Sequence, residues 1–476
     1  MLIEDSRFDL VSATFGEHEA FAGFGLVHRY SKLEAKIFAP RAKVSTQAFD
    51  NFISTVHTVT PVAPDVLVDL TTGSNSHVSD QDAKHGVWTL SSFDALAGLG
   101  EAMFGYPWTI ARIEKRTKDP SKRHVIASAR YDTKFAAARN RAFLREKSIW
   151  LLERELARIS VTGQIAHQDE AEASANEPQA HNLPRYLLKL TYKLSARVVD
   201  VIKKKLGGTP KPFGLSIAQG TPLSFDPAKA TEIANPKGHY LADPFFAQRD
   251  NETYLFFEDY DYATDLGKLS VGRLDNGDLT IIGDTHAAPP HHSYPFVFNH
   301  DGHTYMVPET ASKSALEVWR STNWPLGWER VGIQLEGISC ADTSLVKRDE
   351  TWWLFTNICR DSFGDFCSEL HVFQVSGPDL KTMVPHALNP IVLGSDVARN
   401  AGRFFDINGD LYRPSQDNTH GTYGYGLNLM KVEDLTLTSY KETRVRHIKG
   451  PDIPGAIGCH HIDWLDDNVI FDIRKA

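Results

Sequence analysis

Two textures of hydrophobic patterning divide the 476-residue chain. From about residue 208 onward, short apolar runs alternate with polar positions and are punctuated by Asn-Gly, Asp-Gly and Gly-Asp turns. GKLSVGRLDNGDLTIIGD, SALEVWRS, ELHVFQVSG and YGLNLMKVEDL are examples. Period-two alternation bounded by such turns predicts antiparallel strands. Residues 1–162 read differently. AKIFAP, PDVLVDLTTG and HGVWTLSSFD predict short strands, and DTKFAAARNRAFLREKSIWLLERELARI predicts a long helix capped by Asp132 and Thr133. Strands alternating with helices predict an α/β, Rossmann-like domain. Residues 163–182 are polar and aperiodic, the composition of a linker. In residues 183–207, Leu187, Leu190, Leu194, Val198 and Ile202 recur at helical spacing, and Gly207 ends the pattern. An amphipathic helix packed on a domain is the leading expectation there, and its basic residues also admit contact with a membrane surface.

A repeat organises residues 208–476. DPFFAQRDNETYLFFE from Asp243, YPFVFNHDGHTYMVPE from Tyr294, DTSLVKRDETWWLFTN from Asp342 and AGRFFDINGDLYRPSQ from Ala401 align in register. Each carries an aromatic eleven positions after its first residue (Tyr254, Tyr305, Trp353, Tyr412) and a polar residue fifteen after it (Glu258, Glu309, Asn357, Gln416). CHHIDWLDDNVIFDIR, from Cys459, is a looser fifth copy. Copies start about fifty to sixty residues apart, the period of β-propeller blades, so a five-bladed β-propeller is expected. The last copy ends at Arg474 with room for two strands only, and KPFGLSIAQGTPLSF (211–225) is expected to complete it and close the ring.

The two strands of each copy run antiparallel, so residue zero and residue fifteen should meet at one rim. That gathers Asp243, Glu258, Tyr294, Glu309, Asp342, Asn357, Arg403, Gln416 and His460 or His461 around one mouth. The aromatics are assigned to packing. A polar ring at a concave mouth suits a polyhydroxylated ligand.

Bulk composition narrows the partners. A net charge of -9 argues against nucleic acid, which needs a basic footprint. The acidic N-terminus does not read as a signal peptide, and no apolar run approaches a membrane span, so a cytoplasmic location is expected, with the inner face of the membrane open through residues 183–207. Cys340, Cys359, Cys367 and Cys459 read as free thiols. His291 and His292 lack a third ligand at metal spacing, and no GxGxxG or P-loop is present, so neither a metal nor another cofactor is expected. Asp69 and His85, beside the N-terminal strands, read as turn or edge residues.

The opening LADPFF and the repeat register resemble the five-bladed propeller glycosidases and transferases of the arabinanase, xylosidase, invertase and levansucrase group. The resemblance implies that Asp243 acts as base or nucleophile and Asp342 as the second, orienting Asp. The acidic Glu of that group has no inner-strand match; Glu309 and Glu258 are offset candidates. LADPFFAQRDNETYLFFED and SYPFVFNHDGHTYMVPET also resemble the propeller region of plant glucosamine inositolphosphorylceramide transferases and of bacterial polysaccharide-biosynthesis proteins. In the bacterial set a formyltransferase-like domain often precedes the propeller, and residues 1–162 resemble it without its HxSLLP-type loop, so formyl transfer is not carried over. In the plant enzymes the transfer chemistry resides in a further domain. The resemblance implies a sugar donor and a glycan or glycolipid acceptor. A glycosyltransferase or transglycosidase is the leading expectation, with Asp243, Asp342 and Glu309 catalytic and Arg399, Arg403 and His460 contacting an anionic leaving group. A noncatalytic carbohydrate-binding propeller and a cytoplasmic glycosidase are the alternatives.

Overall fold

The computed structural model describes residues 25–40, 63–70, 83–94, 96–117, 124–167, 178–205, 213–275, 277–286, 291–310 and 314–475. The chain divides into two compact units, Met1–Val199 with Asp361–Phe363, and Asp200–Arg360 with Gly364–Ala476.

The first unit holds a four-stranded sheet in chain order: β1 (Leu67–Asp69), β2 (Val87–Leu90), β3 (Trp108–Lys115) and β4 (His124–Asp132). Only the β1–β2 pair is parallel; β2–β3 and β3–β4 are antiparallel. The described sheet is thus mostly antiparallel, and the doubly wound parallel sheet of a Rossmann-like domain is not seen in it. The β3–β4 connection is too short for a crossover helix, which fixes the antiparallel pairing. AKIF closes the helix α1 (Gly25–Phe38) instead of forming a strand. Its apolar run is one turn of a helical stripe, which period alone does not separate from a short strand. The turn expected after β1, at Gly73, and residues 168–177 of the expected linker lie outside the described residues.

The long helix forms, as Ala137–Thr162 (α3, following the short α2, Leu99–Phe104), and packs on β3 through buried residues including Phe143, Leu144 and Leu151. It is not capped by Asp132 and Thr133. Asp132 ends β4, and Ala136 stands at the cap position without a side-chain acceptor. Remote groups satisfy the helix's first amides: Ala138 N–H donates to Glu34 Oε2 at 2.6 Å and Ala137 N–H to the Tyr186 hydroxyl at 2.8 Å. Tyr186 lies on α4 (Leu183–Lys205), which forms where the amphipathic helix was expected. Of the expected stripe only Leu190 and, in part, Leu194 pack inward, with Tyr186 and Val27 of α1, while Leu187, Val198 and Ile202 are exposed. The expected stop at Gly207 lies outside the described residues. Among the described residues no helix is long and apolar enough to cross a membrane.

The second unit is an all-β propeller. Its described residues form five antiparallel sheets. The first holds β7 (His239–Arg249), β8 (Glu252–Asp261), β9 (Leu266–Asp275) and β10 (Asp278–His286). The second holds β11 (Ser293–His300), β12 (His303–Glu309), β13 (Leu316–Asn323) and β14 (Gly327–Gln334). The third holds β15 (Cys340–Arg348), β16 (Thr351–Ile358), β17 (Glu369–Val375), β18 (Met383–Pro385) and β19 (Val392–Leu393). The fourth holds β20 (Phe405–Ile407), β21 (Asp410–Asp417), β22 (Gly426–Leu435) and β23 (Tyr440–Lys449). The fifth joins β24 (Ala456–Gly458), β25 (Ile462–Leu465) and β26 (Asn468–Lys475) to β5 (Phe213–Gln219) and β6 (Thr231–Ile233) from the start of the unit.

The last sheet is completed as the sequence suggested. β26 pairs antiparallel with β5, Ile470 opposite Ile217, and Leu215, Ile233 and Ile470 bury against Leu241, Phe246, Leu255 and Phe257 of the first sheet. Hydrogen bonds run from sheet to sheet around the ring. Tyr294 N–H donates to Asp243, Asp342 N–H to Glu309, Asn400 Nδ2 to the Asp342 carbonyl, Ile462 N–H to the Ala401 carbonyl and Phe246 N–H to Asp463.

The repeat register is structural. In all five copies position four pairs with position eleven: Ala247 with Tyr254, Phe298 with Tyr305, Val346 with Trp353, Phe405 with Tyr412 and Asp463 with Ile470. In the first three, a β-bulge separates this register from the rim, and Asp243, Tyr294 and Asp342 adopt left-handed φ values of 50°, 49° and 47°. Such a φ is costly for a residue with a Cβ, and three recurrences at one position mark it as a built feature.

Candidate functional site

In the first three copies the bulges bring the two ends together, offset by one residue from the expected pairing. Ala242 faces Glu258, Ser293 faces Glu309, and Ala341 faces Asn357. The residue after each, Asp243, Tyr294 or Asp342, is turned out of the ladder by its left-handed backbone.

Around Asp243 lies a chain of alternating charge. His460 Nε2 is 3.1 Å from Asp243 Oδ1, and His460 Nδ1 is 3.1 Å from Asp472 Oδ2. Burial alone would raise the Asp243 carboxyl, but the hydrogen bond and charge of His460 bring it down to about 2. Burial would likewise lower His460; the Asp472 and Asp243 carboxylates outweigh it and push the imidazole up to about 10. The site therefore holds an ionised Asp243 against an imidazolium. Glu258, on the neighbouring strand, is displaced the other way: burial, then the Asp243 charge, raise it well above the carboxylate range. His291 donates no charge there. Its Nδ1 accepts from Gly267 N–H at 2.8 Å, burial lowers its pKa, and its Nε2 lies 3.6 Å from Glu258.

A second cluster surrounds Asp342. Arg399 grips it two-pronged, Nε to Oδ2 at 2.6 Å and Nη2 to Oδ1 at 3.2 Å, and Gln416 Nε2 donates to Oδ2 at 2.9 Å. Glu309 Oε2 accepts from Asp342 N–H and stands 3.7 Å from Arg399 Nη2. Burial and the Asp342 charge raise Glu309 to about 8, despite the opposing pull of Arg399. The mouth thus pairs an ionised acid, Asp243, with Glu309, kept protonated at neutral pH, and with Glu258, displaced in the same direction as Glu309. Groups pushed apart in this way separate acid from base.

Several expected rim residues serve elsewhere. Tyr294 is 1% exposed, and its hydroxyl bonds Ser344 Oγ and the Gly402 carbonyl, so it braces three sheets across the axis and does not face a ligand. Asn357 is fully buried, with its amide nitrogen on the Glu369 and Ala398 carbonyls and its oxygen taking Asn400 N–H. Gln416 is buried against Asp342. Arg403 is engaged by Asp463 and the Phe246 carbonyl. His460 and His461 lie between β24 and β25 and point apart: His460 reaches Asp243, while the His461 ring sits 4.5 Å from Phe245 and 5.3 Å from Tyr294. Burial keeps His461 low in pKa, hence neutral. Arg399 and His460 are at the site but already paired with carboxylates, which makes them positioners of Asp342 and Asp243.

Other residues were not singled out by the sequence. Asp472 takes the amides of His460 and His461 from inside the last sheet. The first four copies carry Phe256, Val307, Phe355 and Pro414 at its position thirteen, so an acid in an apolar column was the available signal. Tyr423, in a loop outside the repeat, gave none. It is exposed, with Arg399 5.2 Å from its ring centroid and the His460 ring 5.1 Å away. From His460 the aromatic contacts continue: Phe213 at 4.8 Å, Tyr240 at 5.6 Å from Phe213, and Tyr260 stacked on Tyr240 at 4.6 Å and 10°. A run of aromatic rings therefore extends from His460.

The sequence model described as "Glucosamine inositolphosphorylceramide transferase 1, N-terminal" matches residues 223–456. The transferase of that name from Oryza sativa subsp. japonica is 37% identical over 247 residues, covering 50% of this chain and 32% of the relative. The one from Arabidopsis thaliana is 32% identical over 234 residues, covering 47% and 30%. Among solved structures, a mutant α-L-arabinanase of Cellvibrio cellulosa aligns over 49% of this chain and 85% of that one, with 15% identity and a TM-score of 0.36. The chain spans about a third of the length of the curated relatives it matches, and its propeller is similar in sequence to the N-terminal segment of glucosamine inositolphosphorylceramide transferases.

Proposed function

We propose that the propeller mouth is a carbohydrate-active site that transfers a glycosyl group from an activated donor to a glycan or glycolipid acceptor. The observation that carries this reading is the split between Asp243, held down to about 2, and Glu309, held up to about 8. Glycosyl transfer uses one ionised and one protonated carboxyl group. Asp243 serves as nucleophile or base toward the anomeric carbon or the acceptor hydroxyl, steadied by His460 and Tyr294 N–H. Glu309 serves as proton donor or, after its proton has left, as acceptor-activating base. Asp342, clamped by Arg399 and Gln416, orients Glu309 through its amide and its charge. Tyr423 and the aromatic run through Phe213, Tyr240 and Tyr260 bind the faces of the sugar rings. The names of the relatives support a glucosamine-type donor sugar and an inositolphosphorylceramide-type acceptor.

The test is turnover by the full chain. It is incubated with nucleotide-activated hexosamines and inositolphosphorylceramide, and products are followed by mass spectrometry. A glycosylated lipid formed by the natural protein and not by Asp243→Asn supports the reading. Saturable sugar binding without any turnover would favour a binding propeller. The ion pairing of Asp342 with Arg399, which engages both carboxylate oxygens, is the observation on that side.

A further inference from the structure

Two helices of the first unit each present a second apolar face. α1 and α4 bury one side in a shared cluster containing Val27, Tyr186 and Leu190. They meet there, the Tyr30 and Tyr186 rings edge-on at 6.0 Å and the Tyr186 hydroxyl donating to Glu34. On the sides turned away, Leu26, Leu33 and Ile37 recur at helical spacing on α1, and Leu188, Tyr192 and Val199 on α4. All six are exposed, Leu188 at 73% and Tyr192 at 75%. Stripes of this length on two adjoining helices are not the scattered apolar residues of an ordinary surface.

The charge around the stripes has one sign. Gly25–Phe38 and Leu183–Val199 contain seven Lys and Arg residues, and their one acid, Glu34, is buried. The chain as a whole carries a net charge of -9, so this basic surface runs against the composition. Beside the α4 stripe, Arg185 and Lys189 line a cleft of about 410 Å³ with Met103, Phe104 and Asn182. Phe104 is itself exposed.

We propose that this face of the first unit docks on an anionic bilayer surface, with a lipid headgroup phosphate held between Arg185 and Lys189. A protein partner fits less well, because protein interfaces are depleted of Lys around their apolar centres. Interfacial helices combine Leu, Ile and Tyr on one face with Lys and Arg along its border. Apolar side chains enter the headgroup region and basic ones meet the lipid phosphates.

The experiment floats the full chain with vesicles of phosphatidylcholine alone, or containing about 30% phosphatidylglycerol. Binding to the anionic vesicles, weakened by salt, is expected. A Leu188→Asp/Tyr192→Asp variant and an Arg185→Glu/Lys189→Glu variant should each lower the bound fraction about tenfold or more. Both change exposed or half-exposed positions, and unaltered circular dichroism confirms folding. Three results would overturn the proposal: no flotation, equal flotation on neutral vesicles, or binding unchanged in the apolar variant. Self-association in sedimentation that Leu188→Asp abolishes, without vesicle binding, would overturn it in favour of an interface between copies.

Discussion

His460 Nε2 stands 3.1 Å from Asp243 Oδ1, joining the last copy of the repeat to the first. The contact closes the propeller and sets the charge of its mouth. Asp243 sits at the bulge within β7, the inner strand of the first sheet; His460 lies just before β25, the inner strand of the sheet that β5 and β6 complete. The ionisation of the proposed nucleophile therefore depends on ring closure.

Removing His460 should be costly. His460→Ala leaves Asp243 and Asp472 buried without their cation, and breaking a buried ion pair from one side costs about 3–5 kcal/mol. Urea denaturation should show the loss, and Asp243→Asn in the same background should recover part of it. A His460→Ala protein as stable as the natural one would mean the pair has no net value.

The pH dependence of stability has a defined sign. His460 is raised in the folded state to about 10, so its contribution is complete below its unfolded value near 6.5 and disappears as pH climbs through 10. Glu309 is raised to about 8, so its protonated form favours folding most below 4.5 and this is lost between 4.5 and 8. Asp243, lowered to about 2, contributes above 3.8 and loses its contribution as pH falls through 2. Thermal melts should therefore move to lower temperature as pH rises from about 6 to 9. Glu309→Gln should flatten the part of that slope below pH 8.

Glu309→Gln should also change catalysis. A positioned proton donor is worth about 10²–10⁴-fold in rate. The variant should lose that much in kcat/KM, together with the alkaline limb that Glu309 imposes near pH 8. Loss of rate with the limb intact would move the acid role to Glu258.

Tyr423 should act on binding. An aromatic contact of this kind contributes about 0.5–1.5 kcal/mol, so Tyr423→Ala should raise KM up to about tenfold and leave kcat nearly unchanged.

Closure of the ring has its own test. Leu215, fully buried on β5, packs with Phe246 and Ile470, and Leu215→Ala should cost about 2–5 kcal/mol. Gly402 is less forgiving. Its φ is 130°, and a Cβ there would collide with the Ile462 carbonyl oxygen, so Gly402→Ala should fail to give soluble protein.

The propeller was legible because its signal repeats. Position four meets position eleven in every copy, and the aromatic at eleven is visible in four of them. Asp243, Asp342, Glu258 and Glu309 could be found by their place in that register. What the register conceals is direction. Position zero holds Tyr294 as well as two aspartates, and only the structure shows that its hydroxyl turns into the axis toward Gly402. Tyr423 lies in a segment that does not repeat, where pattern has nothing to compare. In the first unit, α1 was misread because one helical turn resembles a strand, and the cap of α3 because its acceptors, Glu34 and Tyr186, are distant in sequence.

In the proposed mechanism Asp243 and Glu309 act as a separated base and acid on a sugar. The most direct test is glycosyl transfer by the full chain, the Asp243→Asn variant and the Glu309→Gln variant, at matched folding. The natural protein should show measurable transfer, and both variants should lose about a hundredfold or more. Transfer at the natural rate in either variant would contradict that mechanism.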